Sequence, residues 1–316
     1  EEEVEVEVEE EADIQEEASI AAAVKKGRDA CVAQLARTLF REERAAHEGT
    51  RPRLALARYA ARVAARPRFP RELFILRGPP GTGKTEYALQ QLAEEVEVGA
   101  EEQLAARLTH ICAADDFFER FRGADEAIYS FDASQIEACH RRNEVRVRLA
   151  MEAGIHPLYV DCANLRLWEM RPYVLLAERL GYVATVVDAQ DICDRWKDLD
   201  FLIAANSAPP RPLRGKTVAK EALTALLAAF EELPAEDDRL LAIKAARRPE
   251  SLSRLVAPVV PTAVPGPGGL RGTPKPSSGA GLGQKRPAWP RAAIAPPGKA
   301  PRPGSETVVP SNAGWW

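Results

Sequence analysis

Three groups of residues in this chain of 316 have the types and spacing to handle phosphate. The first is Gly78-Pro79-Pro80-Gly81-Thr82-Gly83-Lys84-Thr85, which fits G-x-x-x-x-G-K-[ST] in full. Its glycines let backbone N–H groups turn inward around a polyphosphate. Lys84 has the reach to lie along the β- and γ-phosphates, and the Thr85 hydroxyl is a hard oxygen ligand for Mg²⁺. The second group is Asp115-Asp116, where a carboxylate at a strand end can accept the proton of an incoming hydroxyl. Asp115 is the first choice for that base and Asp116 the second, and Asp116 also reads as the cap of the next segment. The third is Asp161, closing the run Leu158-Tyr159-Val160, where it would hold the metal directly or through water; its competing reading is a strand-end turn residue. No second acid follows Asp161, so no carboxylate stands there to activate water, and the pattern leans toward a kinase-like group over a motor ATPase.

The elements that must position these residues follow from hydrophobic periodicity. The apolar run Leu73 to Leu76 precedes the glycine turn, and Leu89, Leu92, Ala93 and Val96 follow it at helical spacing, so a chance Gly/Pro turn is the weaker reading. Strands are expected at 73–77, 110–114, 157–162 and 182–187. Helices are expected at 84–95, 134–153, 168–180, 192–205 and 218–232. Such alternation predicts an α/β fold of the P-loop NTPase kind, a parallel sheet with helices on both faces and its site at the strand C-termini. The flanks differ in kind. Residues 1–13 are an acidic run expected to be disordered, and 14–71 form a helix-prone flank with a candidate stripe of Ile20, Val24, Cys31, Leu35 and Phe40. Residues 72–235 are the P-loop domain, 236–255 a short helical extension, and 256–316 a Pro/Gly-rich tail expected to be disordered. In the basic stretch 51–71, Arg58, Arg62 and Arg66 share one side of a helix opposite Leu56, Tyr59 and Val63. That stretch reads either as a nucleic-acid- or membrane-facing arm or as a helix docked on the domain with solvated arginines. Trp289, Trp315 and Trp316 in the tail are candidate docking elements for a protein partner.

Composition narrows the class without deciding it. A formal net charge of −4 marks neither a nucleic-acid binder nor a membrane-surface protein, although the acidic start and basic tail are opposed in sign. Cys31, Cys112, Cys139, Cys162 and Cys193 form no C-x-x-C pair, which favours reduced thiols in a cytoplasmic or nuclear setting. No apolar run reaches the length of a membrane span. The chain starts at Glu1 instead of Met, which leaves a targeting segment open.

A family resemblance rests on segments beyond the phosphate loop. Asp115-Asp116-Phe117-Phe118, Tyr129-Ser130-Phe131-Asp132, His140 and Asn143, Asp161-Cys162-Ala163-Asn164-Leu165 and Trp168-Glu169-Met170-Arg171-Pro172-Tyr173 occur in that order. Together they resemble the P-loop domain of the Nedd-four-binding-protein-two family, which is similar in turn to phage-type polynucleotide 5′-kinase. The resemblance covers residues 73–206 and implies ATP and Mg²⁺ at Lys84 and Thr85, with Asp115 as base toward a 5′-hydroxyl. It also implies that Asp161 and Asn164 help order the metal and the site. Trp168, Met170 and Tyr173 read as packing residues, and His140 and Asn143 as polar groups of the core. Three departures stand out. The turn after the third strand is Asp161-Cys162-Ala163-Asn164 where the family has a richer polar set. Phe118 stands where the phage-type enzyme has an arginine, and the helix after Trp196-Lys197 ends Ala204-Ala205-Asn206 without the usual arginine. Arg211 and Arg214 in the following Pro-rich turn are the candidates to replace it.

These readings converge on an ATP-binding phosphotransferase-like protein with a nucleic-acid 5′-hydroxyl, of RNA or DNA, as the best acceptor. A catalytically weak nucleotide-binding adaptor with protein partners on its flanks, and a small-metabolite kinase, are the alternatives.

Overall fold

The two inner strands of the main sheet alternate their side chains between two apolar layers, and this alternation fixes where the phosphate loop lies. The computed structural model describes residues 22, 25–39, 50–66, 69–122, 126–208 and 216–250. The acidic start, Ile20, Val24, Phe40, Arg211, Arg214 and the Pro/Gly-rich tail with its three tryptophans lie outside the described residues. Strands β1 (Arg71–Leu76), β2 (Ile111–Cys112), β5 (Leu158–Asp161) and β6 (Tyr182–Val187) form a parallel sheet in the order β2-β5-β1-β6. Leu73 and Ile75 of β1 and Leu158 and Val160 of β5 face the larger core, while Leu76 and Tyr159 face the smaller one. A period of two with both faces apolar is what a sheet covered on both sides requires.

Helix α3 (Lys84–Glu95) covers the smaller layer through Ala88 and Leu92, with Tyr159 stacked on Phe74 at 5.0 Å beneath it. The opposite layer is covered by α5 (Ile136–Glu152) and α6 (Leu167–Leu180), whose Val147, Ala150, Met170, Tyr173 and Val174 are buried. Two helices ahead of the sheet join that same core. Helix α1 (25–39) contributes Val32, Leu35, Ala36 and Leu39, and α2 (Thr50–Ala64) contributes Leu56, Ala60 and Ala64. Helix α4 (Gln103–His110) lies against α2: Tyr59 packs edge-on against His110, and Arg62 pairs with Glu102 at 2.6 Å. The basic stretch is therefore a docked amphipathic helix, with Arg58 and Arg66 exposed.

The remaining elements differ from expectation for local reasons. The strand expected at 110–114 shrinks to β2, because His110 still closes α4 and residues 114–117 form a 3₁₀ turn. A hairpin, β3 (Glu119–Arg122) with β4 (Glu126–Tyr129), follows that turn. The helix expected over 192–205 is two, α7 (Ala189–Ile192) and α8 (Leu199–Ser207). Asp188 and Asp198 each cap a start, accepting hydrogen bonds from Ala189 at 2.7 Å and Phe201 at 3.0 Å. Helices α9 (Lys220–Ala228) and α10 (Glu236–Ala245) complete the described fold, α10 resting on α6. No described helix is long and apolar enough to cross a membrane.

Candidate active site

The turn from β1 into α3 is built by backbone conformation. Gly78, Gly81 and Gly83 take φ of 136°, 98° and 87°, values that side chains rarely adopt. Space is as restrictive as torsion at Gly81, where an added Cβ would stand 2.8 Å from Asn206 Nδ2. That amide is a brace. It donates to the Pro80 carbonyl and to the Leu202 carbonyl, both at 2.9 Å, and so ties the loop to α8. Thr82 closes the turn by donating to the Pro79 carbonyl at 3.0 Å. Lys84 Nζ folds over the loop and donates to the carbonyls of Gly78 at 2.8 Å and Pro79 at 3.1 Å. Its cation thus sits over the loop at the start of a helix, where backbone N–H groups suit an anion.

Direct pairing of β1 with β5 places Leu76 beside Asp161, and this register delivers the metal candidates to one point. Thr85 Oγ1 donates to Asp161 Oδ2 at 2.6 Å. Burial pushes the Asp161 carboxyl up from its ordinary range, opposed by the Lys84 charge and the Thr85 hydrogen bond. The two oxygens are hard donors of the kind Mg²⁺ takes. Behind them Asn164, in left-handed conformation at φ 45°, donates to the Leu76 carbonyl at 2.7 Å, so it holds the end of β1 by a main-chain contact. Arg77, fully buried, donates to the carbonyls of Asn164 at 3.2 Å, Leu165 at 3.0 Å and Glu231 at 2.5 Å, and fixes the loop after β5.

The 3₁₀ turn after β2 separates the two neighbouring aspartates. Asp116 points inward and pairs with Arg107 Nη2 and with Arg146 Nη1, each at 2.6 Å. Burial alone would raise its carboxyl, but the two guanidinium groups outweigh burial and hold it below the usual range. Neither base nor helix cap describes it, since both oxygens are committed to arginines. Asp115 points outward, with 53% of its side chain exposed, and its Oδ2 lies 3.8 Å from Lys216 Nζ. Lys216 also pairs with the buried Glu119 and lies over the Tyr129 ring at 4.8 Å. Burial works against its charge, but Asp115 and Glu119 outweigh it and raise its pKa.

Lys216, Glu119, Arg107 and Arg146 were not singled out from the sequence. Arg146 had a usable signal, since it falls on the inner side of α5 with Asn143 and Val147. Lys216 had none, being over ninety positions from Asp115 in the chain. His140 and Asn143 do lie toward the core, and Asn143 donates to the Cys112 carbonyl at 3.1 Å. Trp168, Met170 and Tyr173 are buried. A second cluster, Glu72, Glu95 and His156, brings three ligand atoms within 4.8 Å. There His156 Nδ1 accepts the Glu72 N–H at 2.9 Å, which places the proton of the neutral ring on Nε2. No ring nitrogen then offers a lone pair, and the cluster reads as a hydrogen-bonded group.

A glycine loop joining a central parallel strand to a helix, with its hydroxyl bonded to the carboxylate of the adjacent strand, defines a P-loop NTPase fold. Comparison with known proteins agrees. Residues 73–195 match the family AAA_33, described as an AAA domain. Over 110 residues the chain is 34% identical to NEDD4-binding protein 2 of Homo sapiens, a match that takes in 35% of this chain and 5% of that protein. The chain thus matches only a small part of that relative's length. No solved structure matches. For the central segment the comparisons bear out the resemblance read from the sequence, that of a kinase-like, nucleotide-binding P-loop domain.

Proposed function

We propose that the protein transfers the γ-phosphate of ATP to a hydroxyl, with a nucleic-acid 5′-hydroxyl as the acceptor. The observation that carries the reading is the division of labour between strand-end carboxylates: Asp161 is bonded to Thr85 at the loop, while Asp115 faces outward with a lysine beside it. Thr85 and Asp161 would hold Mg²⁺, which when bound neutralises polyphosphate oxygens. Lys84 exchanges its two loop carbonyls for phosphate oxygens of ATP. Asp115 accepts the proton of the acceptor hydroxyl as its oxygen bonds to the γ-phosphorus and the bond to the β-phosphate oxygen breaks, leaving the electron pair on ADP. Lys216, 3.8 Å from Asp115, would supply positive charge on the acceptor side. A single acid at the end of β5, with the buried Cys162 next in the chain, favours transfer to a hydroxyl over activation of water.

The test is transfer of label from γ-labelled ATP to a 5′-hydroxyl oligonucleotide. Asp115→Asn is expected to lower turnover by roughly 10²-fold or more, the usual worth of a general base, while ATP affinity is retained. ATP binding without transfer to any oligonucleotide or metabolite would reject this reading and leave the adaptor, with a protein partner of the kind the human relative's name records. Transfer to small hydroxylated metabolites alone would move the acceptor and keep the chemistry.

A further inference from the structure

Helix α5 leads into β5 and α6 leaves it, so both helices begin at the edge of the sheet where the strands end. Between their N-terminal halves, closed by the residues after α10, lies a cavity of about 250 Å³. Its lining carries Arg141, Arg171, Arg247 and Arg248 against Glu137 and Glu144, a formal surplus of two positive charges, with the Trp168 indole beside them. Surface arginines ordinarily sample many rotamers, and a site made from them loses that freedom on binding. Here three of the four are tethered. Arg248 makes two bonds to the Glu137 carboxylate, at 2.6 and 3.2 Å, and lies 4.9 Å over the Trp168 ring. Arg171 Nε donates to the Lys244 carbonyl at 2.9 Å, and Arg247 Nη1 donates to the carbonyls of Lys244 at 3.1 Å and Ala245 at 3.2 Å. A guanidinium carries its five N–H donors in a planar fork.

We propose that this cavity binds a phosphate-bearing ligand, either a free nucleotide or a backbone phosphate of a nucleic-acid strand. Guanidinium forks match phosphate oxygens in pairs, and a surplus of two charges in so small a space suits one dianion or two adjacent phosphodiesters. The cavity exceeds the size of a phosphate group, and the half-buried Pro172 offers apolar surface to a sugar or base. None of the residues of the phosphate loop or of the Asp115 group takes part, so this site stands or falls apart from the phosphotransfer reading.

The test uses the full chain carrying Lys84→Ala, which removes the phosphate loop's own hold on nucleotides. Calorimetric titrations are run with inorganic phosphate, with a 5′-phosphorylated thymidine dinucleotide and with a thymidine octamer lacking a terminal phosphate. Arg141 is exposed, so Arg141→Gln leaves the core alone; Arg171→Lys keeps the charge and removes the fork. Saturable binding of the first two probes, weakened at least about tenfold in each variant, supports a site for a terminal or free phosphate. Binding of the octamer with the same losses, and a salt slope shallower by about 0.7 in Arg141→Gln, supports a site for a strand. Affinities unchanged in both variants, equal competition by a hexaglutamate peptide, or no binding of any probe would overturn the proposal.

Discussion

At the scale of single residues, adjacent aspartates divide into a buried, paired member and an exposed one through one 3₁₀ turn. Asp116 is spent on Arg107 and Arg146, and Asp115 is left at the surface beside Lys216. If Lys216 neutralises charge during transfer, its loss should appear in turnover and not in ATP affinity. Lys216→Met alone would leave Glu119 buried without its cation, so the informative variant is Lys216→Met with Glu119→Gln. We expect kcat to fall roughly 10²-fold in that double variant, KM for ATP to stay, and Lys216→Arg to keep most of the rate. A fall in thermal stability with kcat unchanged would make Lys216 a packing residue. His110 gives a second prediction. Its Nδ1 faces the Pro157 carbonyl at 2.7 Å, so Nδ1 carries the proton and Nε2 accepts from the Tyr59 hydroxyl at 3.2 Å. Burial, only partly offset by the Pro157 carbonyl, lowers its pKa to about 4. The unfolded chain takes up a proton near the ordinary histidine value of about 6.5 while the folded chain resists until about 4, so stability falls as pH drops through that window. Denaturant unfolding from pH 7 to 4 should show a loss on the order of 3 kcal/mol, flattened in His110→Gln.

At the scale of elements, the parts legible in sequence are those whose signal is local. The glycine turn, the apolar runs of β1 and β5 and the acid closing β5 are each a few residues long, and they mark the loop and Asp161 without help from the rest of the chain. What the sequence hides depends on distance. Lys216 reaches Asp115 from beyond α8, Arg107 and Arg146 meet on Asp116 from two helices, and the brace from Asn206 to Pro80 spans 126 positions. The division of the 192–205 helix was visible in principle, since Asp188 and Asp198 each precede a helix start as caps. Because torsion and space coincide at Gly81, Gly81→Ala should cost more than the about 1 kcal/mol of a residue forced into positive φ alone. Thermal melting with and without ATP would show it: a lower melting temperature and a weaker shift by nucleotide are expected. Unchanged melting and an unchanged shift would mean that the loop relaxes away from Asn206.

On the scale of the whole molecule, the helices before the sheet share its main core. Leu35 and Leu56 are fully buried in one apolar cluster with Leu73, Val147 and Met170, and Tyr59 reaches His110 at the end of α4. A fragment beginning at Leu73 therefore exposes that face. We expect it to be poorly soluble or to unfold without a cooperative transition, whereas residues 22–250 should melt as one unit by circular dichroism. A fragment 73–233 that melts as sharply as the longer one would show that the first helices merely decorate the core. The Asn206 amide has a consequence at this scale too. One side chain grips the Pro80 carbonyl and the backbone of α8, and α8 precedes Lys216 in the chain. If ATP displaces Pro80, the Asn206 amide carries that displacement to α8, and thermodynamic reciprocity governs any acceptor coupled to ATP in this way: one that tightens the hold on ATP must itself be held more tightly by the same factor once ATP is present.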